Sequence, residues 1–271
     1  MPAPLYIETR IRTHPDKLWQ HTRAPGQHQR WDLRFTEISA LTPEPDAGAD
    51  PEAGSGADPG ADPGAAPEAA PGRDPKTNPG AAPAPQSERF RYATRPFPGL
   101  TIAGTGTTVG ERRRPDGTAT SALRFASTHP LSPIRSGRGY WRYVPTPDGV
   151  RFLTGYDYDP GLGGRPLDRL VRPLMGWATA WSFDRLRLWL ETGATPERTL
   201  RRALAETATR AAATAGIACM TRSPAFTALA AAACVLIPPL PGTPAARRCL
   251  RTPPDRRAAT APDTLDRLET P

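Results

Sequence analysis

RGYWRYVPTPDGVRFLTGYDYDP, residues 138–160, holds two alternating stretches around a TPDG turn signal at 146–149. An Asp-Gly pair suits a tight reversal, so residues 136–144 and 150–158 read as antiparallel strands. Alternation sorts their side chains by face. Trp141 and Tyr143 stand opposite Arg138, Tyr140 and Arg142, while Tyr156 and Tyr158 share a face and Asp157 takes the other. Directly afterwards the period changes. PLDRLVRPLMGWATAWSFDRLRLWLE, 166–191, spaces Leu167, Leu170, Leu174, Trp177, Trp181 and Leu188 by three, four and seven, which predicts a long helix stopped at Gly193. Pro173 should kink it or divide off a short lead-in.

Upstream, residues 89–94, 101–112 and 118–128 have strand character, and RPDG at 114–117 marks another hairpin. At the front, Leu5, Ile7, Thr9 and Ile11 alternate with Tyr6, Glu8, Arg10 and Arg12, a first strand. THPDKLWQHT then predicts a short helix, with Thr13 to cap, Pro15 in its first turn, Asp16 at its positive end, and Leu18 and Trp19 to dock it. APGQHQ is a second short turn leading into RWDLRF, 30–35. Strand alternation there places Trp31, Leu33 and Phe35 inward and Arg30, Asp32 and Arg34 in a solvated outer row, the strand running on to Leu41.

Composition narrows the folded part. The 271 residues include 35 prolines and 24 glycines, so about 150 residues remain for a globular domain. Residues 43–87 are almost wholly Pro, Gly, Ala and acid, with eight acids against Arg73 and Lys76, and read as a disordered insertion. Their net −6 within a chain of +8 leaves +14 elsewhere. That charge is nearly all arginine and is scattered, without interleaved aromatics on one element, so nucleic acid is not an expected partner. Cys219, Cys234 and Cys249 fit neither a disulfide framework nor a zinc spacing. The first residues lack a basic stretch followed by an apolar one, which predicts a cytoplasmic protein. Residues 194–240 form a helical extension, in which 226–237 is apolar but well short of the ~20 residues of a transmembrane span. That extension is expected to pack on the domain or on a second copy, as a homodimer, the weaker alternative being a docked or interfacial helix. Residues 241–271 read as a disordered basic tail.

The order of elements, with LYIETRIRTHPDKLWQHT and QRWDLRF at the front and RGYWRYVPTPDGVRFLTGYDYDP with MGWATAWSFDRLRLWLETG at the back, resembles the SRPBCC superfamily, the START-like and polyketide cyclase or dehydrase proteins. The resemblance covers about residues 4–41 and 88–193. It implies an α+β helix-grip fold: a curled antiparallel sheet of six or seven strands around a long C-terminal helix, with two short helices after the first strand. It also implies a deep apolar cavity for a lipid, polyketide or other hydrophobic molecule. The superfamily shares no single catalytic motif, so fold alone does not set function.

The candidate pocket lining is Trp31, Leu33, Phe35, Trp141, Tyr143, Tyr156, Tyr158, Leu174, Trp177 and Trp181, with tyrosine hydroxyls to orient a polar end. Asp184 is the one candidate catalytic group, a carboxylate on an apolar helix face near Arg185. The competing reading is a structural ion pair with an arginine such as Arg138, Arg142 or Arg151. His14, His21 and His28 cluster near the expected mouth, as capping or surface residues or as bases, and His129 lies apart. GTGTTVG, 104–110, has GxGxxxG spacing and no following helix, so no dinucleotide, other cofactor or metal is expected. The leading function is binding of a hydrophobic small molecule. The alternatives are a cyclase, aromatase or dehydratase using the same cavity, and a regulatory or interaction module. Deletion of residues 43–87 should leave the calorimetric melting temperature nearly unchanged; a large fall would show that the segment belongs to the cooperative fold.

Overall fold

The computed structural model describes residues 4–41 and 88–266. The expected disordered segment 43–87 and the last five residues lie outside them. The chain runs β1 (Leu5–Ile11), α1 (Pro15–Arg23), α2 (Pro25–Trp31), β2 (Glu37–Leu41), β3 (Glu88–Phe97), β4 (Leu100–Arg113), β5 (Ala119–Ala126), β6 (Ile134–Thr146), β7 (Gly149–Pro160), α3 (Gly164–Thr192), α4 (Pro196–Thr221) and α5 (Pro224–Leu236). A 3-10 turn, Ala246–Arg248, and the short helices α6 (Arg256–Ala259) and α7 (Asp263–Asp266) follow.

The seven strands of the described residues form one antiparallel sheet, ordered β1-β7-β6-β5-β4-β3-β2. The hairpin read from TPDG is present, pairing Tyr143 with Phe152 and Trp141 with Thr154. The first strand docks on the last, Ile7 opposite Thr154 and Ile11 opposite Val150. Register shifts in β3–β4, β4–β5 and β6–β7 interrupt the ladders, and such bulges sharpen strand bending. The chain therefore has the α+β helix-grip fold that the resemblance implied, a sheet with one long helix after it.

The core lies between α3 and the β1/β7 end of the sheet. Ile7, Ile11, Phe152, Phe183, Leu186 and Trp31 are fully buried there, and Phe152 stacks on Phe183 with centroids 4.5 Å apart. Of the face that the large side chains of α3 predict, Trp181 and Leu188 are buried, but Leu170, Leu174 and Trp177 are exposed, and the buried positions also include Gly176, Thr179, Ala180, Phe183, Leu186 and Leu190. A Cβ on Gly176 would sit 3.3 Å from the tip of the Leu5 side chain, so α3 lies close against β1 at that turn. Pro173 lies within a single continuous helix rather than dividing it.

RWDLRF is not a strand. Helix α2 continues through Trp31, whose Nε1 donates to the His21 carbonyl at 2.9 Å. Asp32 then closes a turn by accepting from the Arg34 backbone N–H, two residues on, at 3.0 Å. The Leu33 N–H donates to Ser182 on α3.

The expected disordered tail is also corrected up to residue 266. Leu250 exchanges two backbone hydrogen bonds with Glu8 at 2.9 Å, and Ala245, Ala246 and Cys249 are buried against α3. Ala258 and Leu265 cover Tyr6, Tyr140 and Leu153 on the outside of the sheet. Asp184 holds this segment. Its carboxylate, fully buried, accepts from the Ala245 N–H at 2.8 Å, Arg248 Nη1 at 2.9 Å and Arg187 Nε at 2.7 Å. Asp184→Ala should cost about 3–5 kcal/mol, because two arginines lose their shared acceptor. In urea denaturation a loss below ~1 kcal/mol would show that the clasp is dispensable.

Candidate functional site

Beyond the part of the sheet that α3 covers, a cavity of about 1400 Å³ opens between the strands and the α1–α2 corner. Sheet residues make most of its wall: Ile38, Phe90 and Tyr92 from β2 and β3, Ser121, Leu123 and Phe125 from β5, Gly139 and Trp141 from β6, and Thr154 and Tyr156 from β7. Trp19, Thr22, His28 and Phe35 close it from the corner, and Met175 from α3. Exposed Ala40, Leu41, Glu88 and Arg89 mark its rim. The GTGTTVG run serves this wall. Gly104 pairs with Tyr92 and Gly106 with Phe90, and a Cβ at either glycine would fall within 2.4 Å of the facing ring. The two glycines let both aromatic rings lie flat over β4.

Two polar stations interrupt the apolar lining. At the rim, Arg23 pairs with Glu88 at 2.7 Å and Glu111 at 2.5 Å, with Thr108 and Ser121 near the same guanidinium. Deeper in, Arg34 holds Asp32 in a two-point grip, Nε to Oδ1 at 3.0 Å and Nη2 to Oδ2 at 2.7 Å. His28 Nε2 reaches the same Oδ2 at 3.2 Å, and the ring stacks on Trp31 and meets Trp141 edge-on. The Arg34 guanidinium lies over the rings of Phe35 and Tyr156. The Tyr156 hydroxyl bonds Thr179 on α3 at 2.9 Å.

Burial pushes the Asp32 carboxyl up, but Arg34 and His28 outweigh it and hold the group below the usual carboxylate range. Burial lowers the Arg34 guanidinium, and the facing carboxylate more than reverses this. Burial raises the Tyr156 phenol, with Arg34 opposing. The result is a neutralised charge pair inside an aromatic cavity, with a protonated phenol beside it.

Of the ten residues expected to line a ligand pocket, Phe35, Trp141 and Tyr156 lie on the wall of this cavity, and Trp177 and Trp181 border a separate hollow on the other side of α3. Trp31, Tyr143 and Tyr158 are buried in the core instead. Their polar tips are engaged there, Tyr143 with Thr22 at 2.7 Å and Tyr158 with Asp168 at 2.7 Å. Leu33, Leu174 and Trp177 are exposed, and Trp181 is buried on the outer side of α3. Asp184 is a tail clasp and not a cavity acid, its partners being Arg187 and Arg248 rather than a strand arginine. His14 caps α1 and His21 bonds the Lys17 carbonyl, while His28 lines the cavity. Sequence reasoning missed Arg34 as an interior residue. The signal was present in Asp32 followed two places later by Arg34, an Asx-turn pattern at a helix end.

The cavity thus lies within a helix-grip fold and has a mixed aromatic and ion-paired wall. No family model matches the chain. It is 38% identical over 205 residues to the uncharacterized membrane protein YndG of Bacillus subtilis (strain 168), an alignment covering 74% of this chain and 62% of that protein. The chain therefore spans less than two thirds of this relative's length. Among solved structures it is similar to a STAR-related lipid transfer protein of Xanthomonas axonopodis, at 15% identity over 68% of this chain and 82% of that one, TM-score 0.43. It is also similar to the di-domain ARO/CYC protein StfQ of the steffimycin biosynthetic pathway, at 10% identity over 68% and 49%, TM-score 0.42. Among the described residues no helix is long and apolar enough to cross a membrane, and no cluster of potential metal ligands occurs.

The depressed Asp32 carboxyl has a defined stability signature. Its contribution is fully present above the unfolded value of about 3.9 and fades as pH falls toward the lower folded value. In Asp32→Asn this part of the acid destabilisation disappears, so urea midpoints of wild type and variant should converge as pH drops from 6 to 2. A constant gap would show that the carboxylate is not held by its partners. Arg34→Met, which strands the buried carboxylate, should cost about 3–5 kcal/mol at neutral pH.

Proposed function

We propose that the protein binds a hydrophobic small molecule in the cavity between the sheet and the α1–α2 corner, with a neutral hydrogen-bond acceptor of the ligand directed at Arg34. The observation that carries this is the combination of about 1400 Å³ of space bordered by seven aromatic side chains with Arg34 on its wall, held in a buried ion pair to Asp32. The volume exceeds that of common small-ligand sites, so the occupant is lipid-sized or polycyclic. Asp32 already neutralises Arg34. A carbonyl or hydroxyl can therefore accept from the guanidinium without bringing a second buried anion next to a carboxylate. Phe90, Tyr92, Phe125 and Trp141 present ring faces and edges suited to a flat or unsaturated body.

Leu123 lines the wall without being fully buried, so enlarging it fills the cavity without breaking a packed contact. Nile red, neutral and fluorescent in apolar surroundings, should bind the full chain saturably and lose at least about tenfold in affinity in Leu123→Trp. Equal binding by this variant at unchanged melting temperature would place the dye elsewhere and sink the proposal. Native mass spectrometry of protein from its own host should show a co-purifying apolar molecule that Leu123→Trp no longer carries.

A further inference from the structure

The face of the molecule opposite the cavity poses a separate question. Helix α5, PAFTALAAAACVL, is apolar around its whole circumference and yet none of its residues is buried; Leu229 is 65% and Val235 81% exposed. A helix apolar on every side is stable only when something covers it. It runs along α4, whose buried residues, Pro196 and Thr199, lie in its first turn, and the two helices bridge a hollow of about 1280 Å³ beside Trp177 and Trp181. The hairpin is nonetheless a built element. Arg210, paired with Glu206, donates to the Cys234, Ile237 and Pro238 carbonyls at 2.6–2.9 Å and locks the end of α5 onto α4.

Charge identifies the occupant. From Thr207 to Pro254 the sequence has no Asp or Glu and five arginines, and from Ala211 to Ala246 Arg222 is the only charged residue. Arg210 and Arg248 are committed to Glu206 and Asp184. Arg222 at the tip of the hairpin and Arg247 and Arg251 at its base are exposed and form no ion pair among the described residues. We infer that the α4–α5 hairpin seats the protein on an anionic lipid surface, Phe226, Leu229, Val235 and Leu236 entering the apolar boundary while these arginines meet the headgroups. At 13 residues α5 is about 20 Å long, too short to cross ~30 Å of hydrocarbon, so the hairpin lies in the interface. A second copy is the weaker occupant, because a two-fold contact sets the patch against itself and brings arginine to arginine with no acid between.

The test is flotation of the full chain with vesicles of mixed phosphatidylcholine and phosphatidylglycerol, and of phosphatidylcholine alone. Binding should be strong to the mixed vesicles, weakened by salt and by omission of the anionic lipid. It should fall at least about tenfold in Phe226→Asp/Val235→Asp, whose exposed positions leave the melting temperature unchanged. Undiminished binding by that variant would mean general attraction to a basic chain, and absence of binding would refute the inference directly. A lipid-free dimer in light scattering that the same two substitutions dissociate would assign the face to a second copy and overturn it as well.

Discussion

The structure depends on how closely α3 approaches one end of the sheet. Gly176, Thr179 and Ala180 let the helix axis come down onto β1 and β7, where Leu5, Ile7 and Phe152 complete the contact. A helix drawn to that end cannot also cover β3, β4 and β5. The space left there is the cavity, and its wall is built from residues that a flatter, centrally placed helix would have sealed into core. The volume reflects both the placement of α3 at one end and the glycines of the sheet, Gly104 and Gly106 on β4 and Gly139 on β6, beside which Phe90, Tyr92, Phe125 and Trp141 form the wall.

Into that space the chain puts a charge pair. An isolated carboxylate or guanidinium there would cost several kcal/mol in lost hydration. The two-point geometry of Arg34 on Asp32, the third contact from His28 and the aromatic faces over the guanidinium offset that cost. A shape-matched apolar pair could supply stability as well. What the ionic pair adds is direction: a fixed donor group set among the aromatic side chains, apart from the Arg23 station at the rim.

Much of the architecture was legible from short-range chemistry. TPDG and RPDG mark real hairpins, Pro15 and Gly193 bracket real helices, and the alternation in 138–160 sorts Trp141 and Tyr143 from Tyr140 correctly. The failures share one physical cause. Periodicity says which residues share a face but not which face turns inward, and the usual assumption that the largest side chains do so fails over the first half of α3, where Leu170, Leu174 and Trp177 are exposed and Gly176 is buried. RWDLRF failed for a related reason. Its alternation imitates a strand, but Asp32 has a cheaper local use, accepting the Arg34 N–H to stop a helix, and that turn swings both charges inward.

The reversed face of α3 also explains the far side of the molecule. With Gly176 and Phe183 turned to the sheet, Trp177, Trp181 and Asp184 necessarily point away from the cavity, and a buried carboxylate there requires partners from outside the sheet. Residues 243–250 supply them: the Ala245 N–H and Arg248 reach Asp184, and Leu250 goes on to pair with Glu8 at the sheet edge. The clasp fixes both ends of the segment that emerges as α4 and returns after α5, since Thr199 is buried at one end and Ala245 at the other. A hairpin anchored at both feet holds the apolar surface of α5 away from the core. Its exposure is therefore imposed by the same residues that hold the fold together, and the helix face that shapes the cavity on one side leaves the other side to present a surface.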